Sequence, residues 1–91
     1  MNKPVYFRTR AALAYYNEKR WYEKRRLGLG DELELCVDAA VDVIQRYNNI
    51  GTVISKSVRR VLIKRFPFGL YYKITKKGIE VIGFRHFKLE R

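Results

Sequence analysis

Breaking a ribonucleotide phosphodiester without a metal takes two kinds of side chain. One kind neutralises charge on the phosphorane, and the other moves protons to and from oxygen. The second half of this chain holds candidates for both: Arg59, Arg60, Lys64, Arg65, Tyr71, Lys73, Arg85, His86 and Lys88. Lys and Arg neutralise phosphate, and an aromatic or guanidinium plane stacks on an unpaired base. Histidine is the side-chain type that ordinarily titrates near neutrality. His86, the only histidine, is therefore the proton-carrier candidate, with a structural hydrogen-bonding role as its other reading. Strand alternation places Arg60, Lys64, Tyr71 and Lys73 on one sheet face. A solvated polar surface is the bland alternative, and three strands of one charge sign without interspersed acids argue against it.

Other chemistries lack residues. One His and one Cys, fifty residues apart, form no metal cluster, and no cofactor is expected. Cys36 falls on the apolar side of a helical pattern and reads as an inert core thiol, although a Cys–His nucleophile pair is formally available. Gly28 and Gly30 join two helices and do not form a phosphate-cradling strand–helix loop. No apolar run reaches the roughly 18 residues of a membrane span, and the first ten residues show no signal-peptide core. With a single cysteine no intrachain disulfide is possible, which suits a reducing compartment, so the expected location is cytoplasmic.

The elements that must position these groups fit one domain over residues 1–91. Val5–Arg8 reads as a first strand. Arg10–Leu27 is helical, with Ala11, Ala14, Tyr15, Trp21, Tyr22 and Arg25 on one side. Glu18 lies in the middle of that aromatic side, where a carboxylate needs an Arg or a Tyr hydroxyl as partner. Asp31 reads as the N-cap of a second helix, with Glu34 completing a capping box. Leu33, Cys36, Val37, Ala40, Ile44 and Tyr47 form its apolar face. Beyond the turn at Asn48–Gly51 the period becomes that of strands: Val58–Phe66, Phe68–Thr75 and Ile79–Phe87, with Lys76-Lys77-Gly78 as a hairpin turn. The expected fold class is α+β, a two-helix hairpin on a twisted antiparallel sheet in the order β-α-α-β-β-β. Charge is lopsided: residues 1–50 carry net +2 and residues 51–91 net +9, of +11 in all. The second half therefore draws polyanions or an acidic protein segment.

Several segments together resemble the RelE/ParE superfamily, the toxin halves of type II toxin–antitoxin (plasmid stabilisation) pairs. They are Trp21-Tyr22-Glu23 before Gly28-Leu29-Gly30, Val58-Arg59-Arg60, Lys64-Arg65-Phe66-Pro67-Phe68, Leu70-Tyr71-Tyr72, and His86 near the end. The resemblance spans about Val5 to Lys88. It implies a growth-inhibiting protein neutralised by a cognate antitoxin that carries an acidic segment. It also implies one of two targets. RelE-like members cut mRNA on the ribosome as metal-independent endoribonucleases, and ParE-like members poison DNA gyrase without cutting. By the first pattern Arg60, His86 and Lys88 are the catalytic candidates, with Arg59, Lys64, Arg65, Tyr71, Lys73 and Arg85 binding nucleic acid. Arg60 and His86 would then share a concave groove. By the second, the hairpin surface around Trp21–Arg26 matters more than the sheet. A non-toxic nucleic-acid-binding module of the same fold is the third reading. Gly69 stands where many of the nucleases carry an Arg, and no Tyr follows His86. An open edge at the first strand leaves a homodimer possible.

Overall fold

The computed structural model describes residues 3–87. In chain order the elements are β1 (Val5–Phe7), α1 (Thr9–Arg25), α2 (Leu29–Arg46), β2 (Thr52–Ser55), β3 (Val58–Leu62), β4 (Phe68–Ile74) and β5 (Ile79–His86). They form one five-stranded sheet, ordered β1-β5-β4-β3-β2, with the α1–α2 hairpin on one side. The expected α+β arrangement is present.

Two features go beyond the sequence reading. First, β1 joins the sheet parallel to β5, pairing Val5 with Ile79 and Phe7 with Val81, so the sheet is mixed. Second, a short edge strand, β2, folds back on β3, pairing Thr52 with Arg60 and Val53 with Arg59. All four β2 residues are exposed, so no buried face marks the strand in the sequence. The long strand expected over Val58–Phe66 stops at Leu62. Arg65 takes a left-handed backbone (φ 71°), which ends strand pairing before Pro67. Between β4 and β5 a bulge at Tyr71/Tyr72 leaves Ile82 without a partner.

The core forms where α2 meets β4 and β5. Leu33, Val37, Ala40 and Ile44 of α2 bury against Phe68, Leu70 and Tyr72 of β4 and Ile79, Val81 and Phe84 of β5. Each such apolar side chain contributes about 1.5–3 kcal/mol on burial. Because β4 is the middle strand, it carries three of the most enclosed ones. Tyr47, expected on this face, sits instead at the C-cap of α2 and is exposed, because the helix ends at Arg46 and its backbone turns away.

The helix hairpin turns at Gly28, whose backbone is left-handed (φ 89°), a region that penalises any side chain. The expected Asp31–Glu34 capping box does not form. Helix α2 begins three residues earlier, at Leu29 with Gly28 as its N-cap, which places Asp31 inside its first turn. Glu23 of α1 caps it from outside. Its carboxylate accepts from Gly28 N–H at 2.9 Å and from Gly30 N–H at 2.8 Å. Glu34 is instead drawn across the hairpin to Lys19 at 2.6 Å.

The Glu23 cap gives a pH signature. The backbone N–H of Gly28, then that of Gly30, hold the Glu23 carboxyl below the usual carboxylate range. A carboxyl depressed in the folded state stabilises above its unfolded pKa, and that stability is lost as pH falls through the folded value. Glu23→Gln is therefore expected to melt below the parent at pH 7. The two curves should converge once pH drops beneath the ordinary glutamate range. Thermal unfolding followed from pH 7 to pH 3 tests this, and a constant gap at all pH values would count against the cap.

Candidate basic interface on the open sheet face

Alternation along three paired strands builds one face that the helices leave bare. Arg60 of β3 pairs with Tyr71 of β4, which pairs with Gly83 of β5. Next along, Gly69 pairs with Arg85, and on the other side Lys73 pairs with Val58 and Glu80. The inward neighbours Phe68, Leu70 and Tyr72 are core residues, so Gly69, Tyr71 and Lys73 point the other way. Arg60, Tyr71, Lys73 and Arg85 thus converge on the open face. The Arg85 guanidinium lies 6.0 Å from the Tyr71 ring centroid, a loose cation–π arrangement. Contrary to the expectation of strands without interspersed acids, Glu80 of β5 stands on the same face beside Lys73, where Arg8 holds it at 2.7 Å.

Arg60 is the unusual member. Its stem lies over Gly69: a Cβ built there would come within 3.1 Å of both Cγ and Cδ of Arg60. Glycine at this position makes the room. Arg60 Nε is enclosed and has no hydrogen-bond partner among the described residues. Leaving a polar atom enclosed and unpaired costs about 1–3 kcal/mol. Such an atom in the middle of a basic face makes Arg60 the member whose enclosure calls for an explanation.

Other expected site residues lie elsewhere. Arg59 faces the α2–β2 loop, where it donates to the carbonyls of Asn49 and Gly51 at 2.9 Å each, a structural role. Arg65 is bound to Glu32 of α2 at 2.7 Å, and Arg26 reaches the same carboxylate at 3.4 Å. Those two cations hold Glu32 below the usual carboxylate range, Arg65 more strongly. Lys64 was expected on the open face. It lies instead with Arg65 at the rim of an apolar groove of about 440 Å³ between α2 and β3, walled by Leu35, Ala39, Val43 and Leu62. The chain leaves β3 after Leu62, so strand alternation no longer governs position 64.

His86 parts company with Arg60. It pairs with Phe68, an inward-facing residue, and its ring meets the Phe68 ring edge-on at 4.6 Å. On that side it shares a hollow of about 400 Å³ with Asn17, Glu18, Trp21 and Tyr22 of α1. The groove expected to hold Arg60 and His86 together is therefore absent among the described residues: the two belong to opposite faces of the sheet. Lys88 lies outside the described residues. Sequence reasoning placed the turn at Asn48–Gly51 but missed its anchoring by the Tyr72 hydroxyl, and it missed the Glu23 cap, because both depend on atoms brought together only by the tertiary fold. Among the described residues no group of three or more His, Cys, Asp or Glu is placed to hold a metal, and no helix is long and apolar enough to cross a membrane.

Against known structures, this geometry has a match. A chain of the chromosomal ParDE TA system from P. aeruginosa superposes with a TM-score of 0.75, over 94% of this chain and 97% of that one. The two share a fold. Sequence identity is 18%, so the likeness is one of architecture. No protein-family model and no curated protein matches the sequence.

Proposed function

We propose that this protein is the toxin half of a toxin–antitoxin pair and that it inhibits growth by binding its target, DNA gyrase, without cutting RNA. One observation carries the choice between the two targets. The charge-neutralising groups Arg60, Lys73 and Arg85 occupy one face of the sheet, and His86, the histidine that would move protons, occupies the other. General acid–base catalysis needs the proton carrier within hydrogen-bond reach of the same reacting group. The hairpin surface around Trp21–Arg26, expected to matter most for a gyrase poison, offers a protein contact at its tip, where Leu27 is 88% exposed beside Arg26, and the basic face adds charge to that binding.

The ParDE likeness supports the antitoxin partner. The groove between α2 and β3 suits an amphipathic segment of that partner. Its walls are apolar and its rim carries Lys64 and Arg65, so acidic side chains fit along one edge.

Two assays run with one preparation decide the matter. Purified gyrase supercoiling relaxed plasmid should be inhibited as protein is added. Translation of a pre-made mRNA in a purified cell-free system should leave its 5′ ends unchanged. New mRNA ends within codons, appearing only during translation, with gyrase unaffected, would replace this reading with ribosome-dependent cleavage.

A further inference from the structure

We propose that the hollow between α1 and the C-terminal end of β5 is a binding site for an unpaired guanine base. It lies on the helix side of the sheet, away from the basic face, and the inference does not depend on which target the protein inhibits.

Three rings line the hollow: Trp21 and Tyr22 from consecutive positions of α1, and His86 from β5. Their mutual packing fixes them. Trp21 meets Tyr22 edge-on at 5.0 Å, Tyr22 meets Phe66 and Phe68 edge-on at 5.1 and 6.1 Å, and His86 meets Phe68 at 4.6 Å. Rings held in this way are ready-made stacking surfaces, and stacking on aromatic side chains is how unpaired bases are captured. Trp21 is half exposed even though the Arg25 guanidinium sits 4.1 Å from its centroid. A volume of about 400 Å³ lies in the range of small-molecule sites.

Glu18 gives the site its selectivity. It is partly enclosed beside Tyr22 and His86, yet makes no hydrogen bond or ion pair among the described residues, in a chain with 20 Lys and Arg. Among the described residues the expected Arg or Tyr hydroxyl partner is not there. An ionised carboxylate only accepts hydrogen bonds. Guanine is the base whose Watson–Crick edge presents two adjacent donors, N1–H and the N2 amino group, to two carboxylate oxygens. Adenine and cytosine set an acceptor beside their amino group, and uracil flanks its single N–H with two carbonyls. Each of those would place an oxygen or nitrogen lone pair against Glu18. Arg20 and Lys24 line an adjoining hollow that also touches Asn17 and Trp21, which puts cations where the phosphate of a stacked nucleotide would emerge.

The chemistry is shared by a free guanosine nucleotide and by a guanine in single-stranded RNA. Trp21 is the only tryptophan, so its fluorescence reads the site directly in the intact protein. GMP should quench that emission saturably and bind about tenfold more tightly than AMP, CMP or UMP. Glu18→Gln, which preserves shape but exchanges one acceptor for a donor, should remove the GMP preference and leave AMP binding unchanged. A guanine-containing oligoribonucleotide binding tenfold or more above GMP identifies a strand as the source, whereas equal binding identifies the mononucleotide. Equal quenching by all four nucleotides in the unaltered protein overturns the assignment, and so does a GMP preference that survives Glu18→Gln.

Discussion

Replacing Arg60 by Met is expected to leave the fold intact or strengthen it, while target inhibition weakens by roughly 30-fold or more. The two halves of this result have separate causes. Met keeps an unbranched stem over Gly69, so packing on the open face is preserved. It also removes the enclosed, unpaired Nε. Relief of such an atom is worth about 1 kcal/mol or more, and each kcal/mol moves the melting temperature of a domain this size by about 4–8 °C. Inhibition drops because an arginine at the centre of a contact supplies charge-assisted hydrogen bonds that a thioether cannot. Calorimetry and the supercoiling assay together test the claim. A marked fall in melting temperature would make Arg60 a structural residue, and undiminished inhibition would show that the open face is not the contact.

Tyr72→Phe should produce the opposite pattern, a large loss of stability from a single oxygen atom. The Tyr72 ring is fully buried, and its hydroxyl accepts from Gly51 N–H at 3.0 Å and donates to the Asn48 carbonyl at 2.7 Å. That one oxygen ties the exit of α2 and the start of β2 to the middle strand. Phe fills the same space but strands a buried N–H and a carbonyl, at a cost of about 1–3 kcal/mol for each group left without a partner. Tyr72→Ala adds a cavity and should cost about 3–5 kcal/mol, enough to unfold a domain of marginal stability. Chemical denaturation gives both values. A Phe variant within about 0.5 kcal/mol of the parent would mean that the loop finds other partners.

Much of this was legible from periodicity. The apolar spacing Leu33, Val37, Ala40, Ile44 and the alternation Phe68, Leu70, Tyr72 both mark faces that the fold buries, because burial is what imposes those periods. The same alternation placed Arg60, Tyr71 and Lys73 together correctly. It failed at Lys64, where the strand had already ended, and at β2, where no residue is buried and so no pattern is imposed. His86 was readable as a chemical type but not as a position. A lone residue at the end of a strand has too little periodic context to fix its side, and the bulge at Tyr71/Tyr72 shifts the register of β5 against β4. Glu23 illustrates a second limit: its partners are backbone N–H groups, which every residue carries and no sequence pattern displays.

The parallel pairing of β1 with β5 bears on how the protein is made. Val5–Phe7 precede the strand they pair with, Ile79–His86, by more than seventy residues, so they are synthesised well before it. Aromatic contacts of α1, Tyr15 against Phe84 at 5.5 Å among them, wait for the same strand. Contacts so distant along the chain are slow to form, and none can form while the partner strand is still untranslated. A growing chain can pair its helices but has no sheet edge for β1, and the hollow beneath α1 lacks its His86 wall. Completion of β5 is thus the step that lets β1 and α1 make these contacts, and a nascent chain halted before Ile79 would hold neither the basic face nor the hollow in finished form.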